Sequence, residues 1–268
     1  MKTNLQSPKL EISLAPDLTI GGKNIIMMLG PCSVESYDQT FTIAKLIHDL
    51  GLRIIRGGAF KPRTSPDSFQ GLGEEGLKIL RSVADEFDLL VVTEALGVEQ
   101  LPLVAEYADI IQIGSRNMQH YPLLWAVGEL DKPVMLKRGF MSTVDEWLAA
   151  AKHIASRGNQ QIILCERGIR TFETTTRNTL DTNSIAHLKQ ASPFPVLGDP
   201  SHATGRADLV IPAARAALAA GADGLLVEIH PNPKEALSDG AQSLNLKQTR
   251  DLVVQASRLA KAMHRGIA

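Results

Sequence analysis

Two cysteines, Cys32 and Cys165, are all that 268 residues contain, too few for a disulfide framework. Reduced thiols and a cytoplasmic location are the expectation that follows. There is no surplus of either charge. Lys and Arg total 28 against 29 Asp and Glu, a net charge of -1, which excludes a nucleic-acid binder working by bulk charge. Long apolar runs are missing too. The longest uncharged stretch, 117–128, has 12 residues and includes polar groups, whereas a membrane span needs about 20. The opening segment MKTNLQSPKLEIS has no apolar centre of the kind a secretory leader requires. No low-complexity segment or linker divides the chain. What remains, 44% hydrophobic and 21% charged residues, is the profile of an ordinary globular protein.

Short apolar runs rich in β-branched residues recur at 25–29, 53–56, 89–93, 110–113, 134–137, 162–165, 196–198 and 225–229. Each is too short for a helix, and most are bounded by Gly, Pro or charge. Longer segments with helical spacing lie between them. Val144, Trp147, Leu148, Ala151, Ile154 and Ala155 form one stripe; Leu252, Val253, Ala256, Leu259, Ala260 and Met263 form another. Eight strands alternating with eight helical segments predict a closed (β/α)8 TIM barrel of the α/β class. An open doubly wound sheet is the alternative, but G-x-G-x-x-G is absent after the first strand. Ahead of the barrel, Leu10, Ile12 and Leu14 alternate, as do Leu18 and Ile20, across Ala15-Pro16-Asp17. This predicts a β-hairpin that plugs the N-terminal end of the barrel. The division expected is an extension at 1–22 and a catalytic barrel at 23–268, the extension being too short for a regulatory domain.

Barrel enzymes work at the C-terminal ends of their strands, and all eight predicted ends carry polar or reactive side chains. Six cations converge on that rim: Arg56, Lys61, Arg63, Arg116, Lys137 and Arg167. A nearly neutral chain that gathers such charge on one face is built for a small, highly anionic ligand with more than one anionic group. Any one of these arginines could instead serve a surface ion pair; the whole set could not. Cys32, His202, Glu228 and Asp239 form a second group on strand ends 1, 7 and 8. A thiolate, an imidazole and two carboxylates could hold a divalent transition metal. No compact spacing such as C-x-x-C supports that, and Cys32 taken alone reads better as a small buried hydrophobe. Glu228 within an apolar strand needs a partner in either case. Cys165 reads as core.

The strand ends fall in long motifs: GPCSVES at 30–36, RGGAFKPRTSP at 56–66, FQGLGEEGL at 69–77, LCERGIRTFE at 164–173, DPSHATGR at 199–206 and ALSDGAQSL at 236–244. Together, across about 23–262, they resemble the 3-deoxy-D-arabino-heptulosonate 7-phosphate (DAHP) synthases, in the short microbial branch related to 3-deoxy-D-manno-octulosonate 8-phosphate synthase. The resemblance implies a metal-dependent condensation of phosphoenolpyruvate with erythrose 4-phosphate, the first step of the shikimate pathway to chorismate and the aromatic amino acids. It implies Cys32, His202, Glu228 and Asp239 as ligands of a divalent ion such as Mn²⁺. It implies Arg56, Lys61, Arg116, Lys137, Arg167 and His202 around phosphoenolpyruvate, Arg63 and Thr64 on the aldose phosphate, and Glu94 near the reacting carbon. Lys61, His202 and Glu94 are the expected catalytic residues. Gly198 departs from the family pattern, standing where a β-branched residue is usual, as does Ser115 where Ala is common.

Three other readings compete: the sister synthase acting on arabinose 5-phosphate, a Schiff-base aldolase using Lys137, and a non-catalytic phosphate-binding barrel. The K-P-R-T run at 61–64 favours the four-carbon sugar, because in the resemblance octulosonate synthases show K-A-N-R-S instead. The expected partners are the two substrates, other copies of the chain in a dimer or tetramer, and a separate regulatory protein. Nucleic acid and membrane are not expected.

Overall fold

The computed structural model describes residues 9–61, 65 and 67–268. The hairpin forms as expected: β1 (Ile12–Ala15) pairs antiparallel with β2 (Leu18–Ile20). Eight parallel strands follow: β3 (Asn24–Gly30), β4 (Ile54–Arg56), β5 (Leu90–Glu94), β6 (Ile110–Ile113), β7 (Val134–Lys137), β8 (Ile162–Glu166), β9 (Val196–Gly198) and β10 (Gly224–Glu228). Each pairs with the next, and β10 returns to β3 with Glu228 opposite Gly30, closing the barrel. The helices between them are α1 (Tyr37–Asp49), α2 (Glu74–Glu86), α3 (Leu101–Tyr107), α4 (Tyr121–Gly128), α5 (Val144–Ala155), α6 (Thr182–Ala191), α7 (Pro200–Thr204), α8 (Ala207–Ala219) and α9 (Leu246–Ala262). Among the described residues no helix is long and apolar enough to cross a membrane.

Two elements depart from the sequence reading. The DPSH run, which lies outside the predicted strands and helical stripes, forms the short helix α7. Its signals are local: Asp199 caps the His202 N–H, Pro200 opens the first turn, and Gly205 closes it at φ 67. The chain also ends in a two-residue strand, β11 (Gly266–Ile267), paired with β3 at Asn24 and Ile25. Gly198 is explained by packing, since a Cβ there would sit 2.6 Å from that of Ala217 on α8.

Period-two alternation sorts the strand residues into two shells. Ile25, Met27, Leu29, Ile55, Val91 and their equivalents face the helices in one large core. Ile26, Met28, Ile54, Val92, Ile110, Met135, Ile163, Cys165, Leu197 and Leu226 form a second cluster inside the barrel. Ile12, Leu18 and Ile20 of the hairpin belong to that inner cluster, so the hairpin does stop the N-terminal end. Cys165 is fully buried within it. Continuing the same alternation one position toward the C-terminal end replaces the apolar layer with Arg56, Glu94, Gln112, Lys137, Arg167, Asp199 and Glu228.

Candidate active site

That polar layer floors a cavity of about 350 Å³ at the C-terminal mouth. Of the residues singled out from sequence, Arg56, Lys61, Glu94, Arg116, Lys137, Arg167, His202 and Asp239 line it. Cys32 and Glu228 lie directly against this lining, bonded to Lys61 and to Arg56. Arg63 and Thr64 lie outside the described residues.

The cations divide into two kinds. Arg56 Nη1 donates to Glu228 Oε1 at 3.1 Å, and Lys137 Nζ to Asp199 Oδ2 at 2.9 Å, with all four side chains buried. Buried ion pairs add little net stability, because desolvation offsets the attraction. Their presence here therefore points to the site rather than to the fold. Lys61, Arg116 and Arg167, in contrast, make no ion pair among the described residues. Lys61 Nζ reaches the Cys32 carbonyl at 2.9 Å and its sulfur at 3.0 Å. Arg116 and Arg167 stand over the Phe140 ring, 5.5 and 4.7 Å from its centroid. Burial, helped by the neighbouring Arg177, pushes the Arg167 guanidinium below its ordinary pKa against the pull of Asp199. A buried cation that makes no ion pair among the described residues is arranged to receive an anion.

Three of the four candidate metal ligands converge, and the fourth, His202, reaches one of them. One donor atom each from Cys32, Glu228 and Asp239 lies within 4.8 Å of the others. His202 Nε2 is 3.3 Å from Glu228 Oε1. Asp199 Oδ2 stands 2.7 Å from His202 Nδ1, so Nδ1 carries the ring hydrogen. Burial pushes His202 below its ordinary pKa against the pull of Asp199 and Glu228. Nε2 is then a lone pair facing a carboxylate oxygen, an arrangement that a cation between them would satisfy. Burial alone would raise Glu228, but the Arg56 and Lys61 charges hold the carboxyl below its ordinary value. Burial, reinforced by Glu228, pushes the Cys32 thiol up to about 11. A metal arriving there has to displace that proton. Buried Cys32 is thus no inert hydrophobe: its sulfur touches Lys61 and, at 3.4 Å, Asp239 Oδ2.

Four contributors escaped the sequence reading. Asp199 holds His202 twice and Lys137 once. Gln112 Nε2 donates to Glu94 Oε2 at 2.8 Å. Gln242 Nε2 donates to Glu228 Oε2 at 2.7 Å while its Oε1 accepts from Arg177 Nη1 at 2.9 Å. Arg177 also reaches Asp239 Oδ1 at 3.4 Å and lines the cavity. Asp199 had a sequence signal in its helix-capping motif; the inward register of Gln112 on β6 was another. Arg177 sits on a loop and Gln242 ends a single 3-10 turn (Gly240–Gln242), both too short of regular structure to show a periodicity. Behind the rim, Arg138 Nη1 donates to Glu166 Oε2 at 2.8 Å, and Glu166 Oε1 accepts the Gly168 N–H at 2.7 Å. This outward pair braces the turns that aim Lys137 and Arg167 inward.

Residues 6–265 match the model of the DAHP synthetase I family. A phospho-2-dehydro-3-deoxyheptonate aldolase of Thermotoga maritima is 55% identical over 247 residues, covering 92% of this chain and 73% of the relative. A 2-dehydro-3-deoxyphosphooctonate aldolase of Syntrophotalea carbinolica is 35% identical over 254 residues, covering 87% and 90%. The crystal structure of the Thermotoga maritima DAHP synthase superposes with a TM-score of 0.95 at 52% identity, covering 97% of this chain and 76% of that one. A truncated form of the enzyme from the same organism superposes at 0.91 with 49% identity, covering 97% and 95%.

Proposed function

The chain belongs to the DAHP synthetase I family and has its synthase activity, and from that premise we propose how the cavity carries out the reaction. Phosphoenolpyruvate and erythrose 4-phosphate are the substrates. A carbon–carbon bond forms between the methylene carbon of the first and the aldehyde carbon of the second. Water adds at the other alkene carbon, and phosphate leaves.

The observation that carries this reading is the pair of neighbouring centres in one cavity. One is a set of cations that make no ion pair among the described residues; the other is the cluster of thiol, carboxylates and imidazole. Arg116 and Arg167, placed over the Phe140 ring, present their N–H forks to the phosphate and carboxylate of phosphoenolpyruvate. Lys137 and Arg56, fixed by Asp199 and Glu228, add positive charge at the barrel floor. Cys32, His202, Glu228 and Asp239 hold a divalent metal, and the thiolate favours a softer ion such as Mn²⁺ over Mg²⁺ alone. When bound, that ion supplies Lewis acidity toward the aldehyde oxygen. Holding both anionic substrates in register makes a bimolecular encounter an oriented one. Lys61 Nζ, 3.0 Å from the Cys32 sulfur and lining the cavity, is the proton donor of this reading. Glu94, fixed by Gln112, faces the same space as an acceptor.

The test is phosphoenolpyruvate consumption with each aldose phosphate, with and without chelator. Turnover with erythrose 4-phosphate, lost on chelation and restored by Mn²⁺, is expected. Equal or better use of arabinose 5-phosphate would move the substrate reading to the sister synthases.

A further inference from the structure

The loop that follows β10 reaches Asp239 only after ten residues, and Asp239 itself sits at φ 49, a left-handed conformation unusual for a residue other than glycine. Such a conformation persists where the surroundings over-determine it. Here the surroundings are the loop after β3. The two loops meet in three successive pairs running in opposite directions. Glu35 Oε1 accepts the Leu237 N–H at 2.9 Å, the hydroxyls of Ser33 and Ser238 are hydrogen-bonded, and the Cys32 sulfur faces Asp239 Oδ2 at 3.4 Å.

Glu35 closes the far end of this ladder with both of its oxygens. Oε2 lies 3.3 Å from His230 Nε2. His230 Nδ1 accepts the Asn232 N–H at 3.0 Å, so the ring hydrogen is on Nε2 and donates to Glu35. His230 is buried just past Glu228, on the same strand end. Glu35 therefore ties the root of the β10 loop and its outbound limb to the Cys32 loop. Its own backbone is fixed in turn, because its N–H donates to Gln39 Oε1 while Gln39 Nε2 donates to the Ser33 carbonyl. Glu35 itself does not line the cavity.

We propose that Glu35 is a positioning residue for the metal centre: it holds the two loops together so that Asp239 stands beside Cys32 before any ion arrives. The proposal rests on the metal reading above. Outer partners that orient ligands typically govern metal affinity by about 10- to 100-fold. A residue that merely stabilised the loops would lower the melting temperature and leave that affinity alone.

The experiment is a titration of metal-free protein with Mn²⁺, without substrates, followed by the electron paramagnetic resonance signal of the free ion. Glu35→Ala is expected to weaken Mn²⁺ about 10- to 100-fold. Glu35→Gln is nearly isosteric, keeps an acceptor for the Leu237 N–H and loses the His230 bond, so it should fall between Ala and the parent. It also carries the test if Glu35→Ala does not fold. Phosphoenolpyruvate binding to the metal-free variants should be unchanged, since Glu35 touches none of the rim cations. Affinity for Mn²⁺ indistinguishable from the parent's in the folded variants would overturn the proposal. So would a parallel loss of phosphoenolpyruvate binding, which would mean that the whole rim had moved. Cys32→Ser in the same titration separates the two levels. If it binds Mn²⁺ as the parent does, the metal reading itself fails; if it loses Mn²⁺ and the Glu35 variants do not, only the positioning role fails.

Discussion

The two ends of the barrel interior are built from the same eight strands, yet they obey opposite rules. At the N-terminal end the inward positions are Ile26, Met28, Ile54, Val92, Ile110, Met135, Ile163, Leu197 and Leu226, sealed by Ile12, Leu18 and Ile20 of the hairpin. Each fully buried aliphatic side chain there contributes about 1.5–3 kcal/mol by leaving water. One alternation further on, the inward positions are ionic, and several are buried just as completely. Glu228 is 1% exposed and Arg56 4%. Burying such groups costs free energy that pairing only partly returns. The lower end holds the barrel shut, and the upper end draws on that stability to keep cations and carboxylates where water cannot screen them.

Chelation is the strongest way to break this contrast. Removing a Lewis acid worth several kcal/mol should cut turnover by roughly a thousandfold or more, with Mn²⁺ restoring it and circular dichroism unchanged. Full turnover in chelator, or in Cys32→Ser, would dismantle the upper centre as described. Next in size is Arg167→Met. Loss of a preorganised charge should lower kcat/KM by about 10²–10³. The melting temperature should hold or rise, because a buried cation that makes no ion pair among the described residues has been removed. A large fall in stability would mean that Arg167 works for the fold. Ile163→Val, in the lower layer, should do the reverse. About 0.5–1.5 kcal/mol of stability is lost by denaturant titration, while kinetic constants at moderate temperature stay those of the parent.

The smallest effect tests whether the upper end also carries purely structural parts. Thr143 and Glu146 form a reciprocal cap at the start of α5, just past Lys137. The Thr143 N–H and hydroxyl hold the Glu146 carboxyl below its ordinary value of 4.5. A depressed carboxyl stabilises the fold above the unfolded value and loses that contribution as pH falls through the folded one. Glu146→Ala should therefore melt slightly below the parent at pH 7, and the gap should close in acid. A gap that persists at pH 3, or a changed KM, would tie this residue to something other than the cap.

The periodic part of the molecule can be read from the chain alone. Strands and helices were legible because burial imposes a period of two on a strand and 3.6 on a helix, and a closed barrel follows from their alternation. The rim cations were legible because strand ends in this fold face the mouth. Cys32, His202, Glu228 and Asp239 were legible as residue types at those ends, and the family motifs gave them roles. Only the tertiary structure decided which charges cancel. Arg56 and Lys137 look like Arg116 and Arg167 in the sequence. Yet Glu228 and Asp199 neutralise the first two, while the second pair is left open over Phe140. It also decided that Glu35, more than two hundred positions upstream of Leu237, would grip that residue's backbone N–H. Periodicity arises from local geometry repeated along the chain, so a sequence displays it. Pairing arises where distant loops cross, and there the distance in space bears no relation to the distance along the chain.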